Sequence, residues 1–186
     1  MGGGDSMKIF LAGNPNVGKS VLFNRLTSTT VRTHAFVSNY PGTTVDYFVS
    51  STEIKGKKVE VIDLPGVYSL RSTNEAEEVA LKILKDCGTE DVVINVIDAT
   101  RMRNGLFLTL DLIERGYPLV IAVNMMDMAE KRGIEIDLNT LESIMQVPVV
   151  GTVAIKGEGI DKLIMRIEEK KVGNIEELVN GCRGKG

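Results

Sequence analysis

The sequence predicts an α/β domain, a mostly parallel six-stranded sheet with one antiparallel hairpin strand and helices on both faces. Three observations carry that expectation. Short apolar runs of strand length alternate with segments of helical period, the pattern of parallel strands joined by crossover helices. One pair of runs, Val45 to Ile54 and Lys58 to Ile62, is separated only by Lys55-Gly56-Lys57, a turn signal that makes that pair antiparallel. The 186 residues, 43% hydrophobic and 25% charged, suit one globular domain whose core needs no staples.

The elements follow in order. Lys8 to Ala12 is the first strand, and a helix runs from Lys19 to about Leu26. Ser28 to Thr44 has no clean period and is rich in Ser, Thr, Asn, Pro and Gly, so it reads as a long functional loop. Beyond the hairpin and Asp63, a second loop leads to a helix with Ala76, Val79, Ala80, Ile83 and Leu84 on one face. Cys87-Gly88 closes that helix as a C-cap. Asp91 to Asp98 is a buried strand, and Leu106, Leu110 and Ile113 stripe the helix after it. Gly116-Tyr117-Pro118 turns into the strand Leu119 to Val123. Asp137 is the N-cap of a helix carrying Leu138, Leu141, Ile144 and Met145. Val147 to Val150 is the last strand, and Ile160, Leu163, Ile164 and Ile167 mark the closing helix. Residues 1–6 read as an added tag before a natural start at Met7, 7–170 as the domain, and 171–186 as a tail. That tail has a weak helical stretch at Ile175 to Val179 and a Gly-rich end, and does not read as a finished domain.

Composition removes several classes. The net charge of −3 argues against broad nucleic-acid binding, which wants a basic face. Two cysteines, Cys87 and Cys182, sit in no CxxC or Cys/His cluster and point to a reducing compartment. No apolar run approaches the roughly 20 residues that span a bilayer, and the first residues are no signal peptide.

The chemistry lies in the loops. Gly13-Asn14-Pro15-Asn16-Val17-Gly18-Lys19-Ser20 matches GxxxxGK[ST] between a strand and a helix. Its glycines let consecutive N–H groups curl around phosphate oxygens at a helix N-terminus, so Asn14 to Val21 forms a phosphate cradle. Lys19 reaches the β- and γ-phosphates, and the Ser20 hydroxyl ligates Mg²⁺. Asn124-Met125-Met126-Asp127 follows the strand Leu119 to Val123. A carboxylate there accepts from the N1–H and exocyclic amine of guanine, whereas adenine would leave Asp127 unpaired. Asn124 would tie this loop to the cradle, and Met125 stands where lysine is usual in NKxD. Asp63-Leu64-Pro65-Gly66 places Asp63 to hold Mg²⁺ through water and the Gly66 N–H to meet the γ-phosphate. Asn39-Tyr40-Pro41-Gly42-Thr43-Thr44 offers two hydroxyls, one of which completes the Mg²⁺ shell. Thr152-Val153-Ala154 would donate backbone N–H groups to the guanine O6.

These five stretches occur in the order and at the elements expected of a Ras-like P-loop GTPase. GNPNVGKS, NYPGTTVD, DLPGVYSL, DATRMRNGLFLTLDLIERG and NMMDMAEKRGIEID together resemble the N-terminal G domain of the ferrous iron transport protein B (FeoB) family, from Met7 to about Ile167. The resemblance implies a GTPase domain at the cytoplasmic face of a membrane iron(II) transporter. Its partners would be a helical domain and the transmembrane domain of the same full-length chain, with a second copy as a further candidate. It also implies Thr44 as the Mg²⁺-binding switch threonine, catalytic roles for Asn16, Lys19, Thr44 and Gly66, and Asn16 as ligand of an activating K⁺. Thr33 to Ser38 makes the first switch longer than the family pattern and holds the only histidine, His34.

The glutamine that often follows the DxxG glycine is absent, and Val67 stands there, so intrinsic hydrolysis should be slow. Glu75, Glu77 and Glu78 read as a solvated helix start in which negative charge suits the dipole. His34 reads as a surface residue, Met125, Met126 and Met128 as helix-entry packing, Lys55, Lys57 and Lys58 as a solvated tip, and Cys87 as a buried helix-end residue. Two alternatives stand beside the GTPase of a transporter. A ribosome or tRNA assembly GTPase also carries GxPNVGKS and PGTT, but would bring a basic appendage that this chain lacks. A nucleotide-responsive binding module with negligible turnover is the other.

Overall fold

The computed structural model describes residues 6–28 and 36–176. The expected strands form in order: β1 (Met7–Gly13), β3 (Asp46–Ile54), β4 (Lys57–Asp63), β5 (Val92–Asp98), β6 (Pro118–Asn124) and β7 (Val149–Gly151), with β2 (Phe36–Asn39) and β8 (Lys171–Val172) in addition. The sheet order is β2-β3-β4-β1-β5-β6-β7, and β8 pairs with the start of β6. The four pairings from β4 through β1, β5 and β6 to β7 are parallel. β3 is antiparallel to both β2 and β4, and β8 is antiparallel to β6. The two extra strands are the difference from a six-stranded reading. β2 lies inside the segment read as loop, because an edge strand needs only main-chain pairing and no apolar period. Residues 29–35, which hold His34 and the start of the long first switch, lie outside the described residues, as do the end of the tail and Cys182.

Strand periodicity sorts the core into two layers. Ile9 and Leu11 of β1, Val92, Ile94 and Val96 of β5, and Val120 and Ala122 of β6 face α1 (Lys19–Thr27) and α6 (Ile160–Arg166). The alternate residues Phe10, Val93, Ile97, Leu119, Ile121 and Val123 face α2 (Glu75–Leu84) and α3 (Met102–Glu114). α4 (Met126–Lys131) and α5 (Leu138–Met145) extend that second layer through Ala129 and Met145. The sheet is thus covered on both faces, as near-continuous apolar runs in parallel strands require.

Three local readings are corrected. Of the stripe Leu106, Leu110 and Ile113, α3 fully buries only Ile113. Its inner face is Gly105, Leu108, Thr109, Leu112 and Ile113, with Leu106 and Leu110 only partly covered. A Cβ on Gly105 would stand 2.5 Å from Ile97 Cγ2, so the helix turns its smallest residue to the sheet. Buried Asn95 of β5 then donates to Thr109 Oγ1 at 2.7 Å, a polar link that apolar periodicity does not reveal. Second, α2 ends at Leu84, short of Cys87-Gly88. The Gly88 N–H goes to Asp91 Oδ2 at 2.8 Å, so a side chain ends the segment instead of a left-handed glycine. Third, Lys55 is not merely solvated, since its Nζ meets Glu168 at 3.1 Å. The hairpin itself turns through Lys55 and Gly56, whose φ values of 51° and 77° give the doubly left-handed turn that matches strand twist.

Candidate nucleotide site

All the loops named from the sequence leave the same edge of the sheet, where the parallel strands end. At the phosphate end, Gly18 precedes α1 with φ 91°, and Asn16 also has positive φ, at 65°. The turn is packed too closely for side chains: a Cβ on Gly13 would stand 2.6 Å from Val96 O. Lys19 Nζ lies 3.3 Å from Asp63 Oδ1, and Ser20 Oγ donates to Asp63 Oδ2 at 2.9 Å. Asp63 is buried, and Oδ1 has the Lys19 ion pair but no well-aligned hydrogen bond. One buried carboxylate beside a hydroxyl is the hard-oxygen donor set that Mg²⁺ takes together with phosphate oxygens, so these residues fit that ion. Gly66 lies against the cradle, since a Cβ there would be 3.0 Å from Pro15 Cα, and Val67 N–H donates to Gly13 O at 3.1 Å.

The first switch holds its two threonines differently. Tyr40 to Thr43 form a turn closed by Thr43 N–H on Tyr40 O at 3.0 Å, with Gly42 at φ 80° where this turn needs a left-handed residue. The Thr43 hydroxyl is spent inside the turn, donating to Tyr40 O at 2.9 Å. Thr44 is left as the candidate metal ligand. Its hydroxyl donates to Glu75 Oε2 at 3.2 Å, so it is the one member of the expected metal set that the structure does not hold at Asp63.

At the base end, Asn124 is buried and joins three segments. Its Nδ2 donates to Val17 O at 2.9 Å, and its Oδ1 accepts from Thr152 Oγ1 at 3.1 Å and Ala154 N–H at 2.9 Å. Asn124 therefore ties the loop after β6 to the cradle, as its spacing predicts. Gly18, Val21, Asn124, Met125, Asp127 and Ala154 line an open cavity of about 460 Å³. Met125 enters α4 with φ 64°, a left-handed strain of the kind that collects at functional loops. The amides of Thr152, Val153 and Ala154 donate here to Val123 O, Glu158 O and Asn124 Oδ1.

The family model described as ferrous iron transport protein B matches residues 7–167. The chain belongs to that family. It is 38% identical over 178 residues to the Fe(2+) transporter FeoB of Escherichia coli K12, covering 94% of this chain and 22% of that protein. The chain thus spans about a fifth of the curated relatives it matches. The crystal structure of the isolated G domain of T. maritima FeoB superposes with a TM-score of 0.78 at 37% identity, covering 88% of this chain and 98% of that one. The cytosolic domain of the same transporter in GDP form gives a TM-score of 0.79 at 38% identity, over 88% of this chain and 63% of that one. Among the described residues no helix is long and apolar enough to cross a membrane.

Several residues that shape this FeoB-family site carried no sequence signal. Arg25 of α1 donates from Nε to Ala154 O at 2.9 Å and from Nη2 to Ile155 O, gripping the loop that borders the base cavity. Lys156 Nζ lies 3.1 Å from Asp127 Oδ2, and its hydrogen bond, helped by its charge, holds the Asp127 carboxyl below the usual range. Glu77 corrects the reading of a solvated helix start: it is buried, unlike the exposed Glu75 and Glu78. Its carboxylate accepts from Thr73 N–H and Oγ1 and from Ser69 Oγ at 2.8–2.9 Å. Burial pushes the Glu77 pKa up, but the hydrogen bonds from Thr73 and Ser69 together outweigh it and leave it lowered. Cys87 is half-buried rather than buried, and burial with the nearby Asp91 charge pushes its thiol up to about 12, so it is no nucleophile at neutral pH.

Proposed function

We propose that this chain is the GTP-binding and GTP-hydrolysing regulatory domain of a membrane iron(II) transporter, acting at the cytoplasmic face of the membrane. The observation that carries the proposal is the cavity shared by Gly18, Asp127 and Ala154. It puts a carboxylate opposite the last glycine of a phosphate cradle, and one buried amide, Asn124, fixes the separation of the two. Guanine can bond such a carboxylate twice and adenine cannot. The GDP form of the T. maritima relative supports the same base. The O6 is assigned to the amides of residues 152–154, the Ala154 N–H exchanging Asn124 Oδ1 for the base.

The chain's own residues then divide the work. Asn14 to Ser20 bind phosphate through N–H groups and the Lys19 ammonium, and Gly66 N–H meets the γ-phosphate. Ser20 and Asp63 would hold Mg²⁺, with Thr44 joining them by exchanging Glu75 for the ion; bound there, the ion neutralises phosphate charge. Val67 is apolar, buried and bonded through its N–H to Gly13, so nothing at that position orients an attacking water. Intrinsic hydrolysis is therefore slow, and the Asn16 amide oxygen offers a ligand for K⁺ beside the phosphates. Residues 7–170 make up this G domain, and 171–186 lead toward a helical domain. The iron cargo and the transmembrane partner follow from the family, of which this chain represents about a fifth of the length.

Two experiments test these assignments. Asp127→Asn should weaken GDP and strengthen xanthosine diphosphate, because an amide donates to the xanthine O2 that a carboxylate repels. Calorimetry with both nucleotides reads the exchange, and an unchanged guanine preference removes Asp127 from the base site. Steady-state hydrolysis should be faster in KCl than in matched NaCl, with Asn16→Ala abolishing the difference and leaving GTP affinity nearly unchanged. Equal rates in the two salts would give Asn16 a loop-shaping role only.

A further inference from the structure

Asp127 stands between two cavities. On one side is the base cavity of about 460 Å³, which Lys156 does not line. On the other is a larger cleft of about 660 Å³ lined by Asp127, Glu130, Glu135, Lys156 and Glu158 among others. The Lys156 ammonium approaches Oδ2 from this second side at 3.1 Å, so the carboxylate is backed by a cation on the face turned away from the base. A carboxylate has about four lone-pair sites, and a backing lysine takes one without consuming those that face the cavity. Besides Lys156, Asp127 draws only on its own helix, from the Met128 amide and the Lys131 charge, while Val153, which borders both cavities, is apolar and has no hydroxyl to give. The remaining charges of the second cleft, Glu130, Glu135 and Glu158, are acidic and cannot steady an anion.

We infer that Lys156 is a positioning residue for guanine recognition, fixing the rotamer of Asp127 so that both its bonds to the base form together. The inference rests on the proposed guanine site and adds a residue to it that does not touch the nucleotide. Lys156 is half exposed, so water screens the pair and the direct Coulombic gain is small. Its effect lies in orientation, which matters most for a ligand that bonds the carboxylate twice.

Calorimetry with GDP and with inosine diphosphate, which lacks the 2-amino group, separates orientation from general loss. Lys156→Ala should weaken GDP about three- to ten-fold while weakening inosine diphosphate about two-fold or less. Lys156→Arg, which can bond the same oxygen, should restore the GDP value. In an Asp127→Asn background, where a neutral amide needs no cation behind it, Lys156→Ala should leave xanthosine diphosphate affinity within about two-fold. Equal losses for GDP and inosine diphosphate, or a loss that persists in the Asp127→Asn background, would overturn the role of Lys156. Failure of Asp127→Asn to exchange guanine for xanthine would instead overturn the base site itself, so the two failures are told apart.

Discussion

The two ends of the candidate site are held in opposite ways. At the base end, buried Asn124 makes three hydrogen bonds to three residues on two other segments, and Arg25 grips the same loop from α1. At the switch end, Thr44 is held by a single exposed hydrogen bond to Glu75. The bond at the switch costs little to exchange, whereas removing Asn124 orphans buried groups. The end that holds Asp127 is built into the fold, and the end that holds Thr44 is left free to trade partners.

Asn124→Ala should break the rigid end most severely. It leaves Val17 C=O and Ala154 N–H without their partner, a loss of about 3 kcal/mol in urea unfolding. GDP affinity should fall about a hundred-fold or more in calorimetry, since base and phosphate loops lose their common tie. A variant with wild-type affinity would show that the loops hold their spacing without it.

Glu77 sharpens the comparison, because it is firmly bonded only two residues from the loosely held Glu75. Glu77→Gln should cost about 2 kcal/mol at pH 7, where the carboxylate takes three donors that an amide cannot all serve. The folded pKa is lowered, so this contribution is present above the unfolded value of 4.5 and is lost as pH falls through the folded value. Unfolding curves of the two proteins should therefore converge in acid, and a gap that stays constant down to pH 3 would remove Glu77 from the pH response. Glu75→Ala should have the smallest effect, within about 0.5 kcal/mol of wild type and with GDP affinity unchanged. A larger loss in the same melts would mean that the switch is anchored after all.

Much of this was legible because it depends on local pattern. The cradle, Asp63, Asn124 and Asp127 sit at strand ends whose apolar runs are unmistakable, and their side chains meet because parallel strands end at one edge. The residues that escaped act across long sequence separation. Lys156 lies in the turn after β7 and Asp127 in the first turn of α4, and Arg25 reaches residues about 130 positions away. The inner face of α3 escaped for another reason. Gly105 and Thr109 are chosen for closeness and for Asn95, and an apolar stripe cannot announce either. α4 showed only as helix-entry methionines, because it is six residues long and its N-cap, Met125, offers no capping side chain.

The segment that follows Gly66 is clamped at both ends. Leu70 is buried, its N–H donates to Asp111 Oδ2 at 2.9 Å and its C=O accepts from Arg115 Nη2 at 2.6 Å, both side chains belonging to α3 or its cap. Val67 is pinned to Gly13 at the other end. Only Tyr68 and Ser69 lie between the two anchors, and Ser69 is itself bonded to Glu77. The stroke available to that segment is therefore about one side chain long. Any signal leaving the phosphates by this route must travel as a swing of the exposed Tyr68 ring, or as a displacement of α3 as a whole strut.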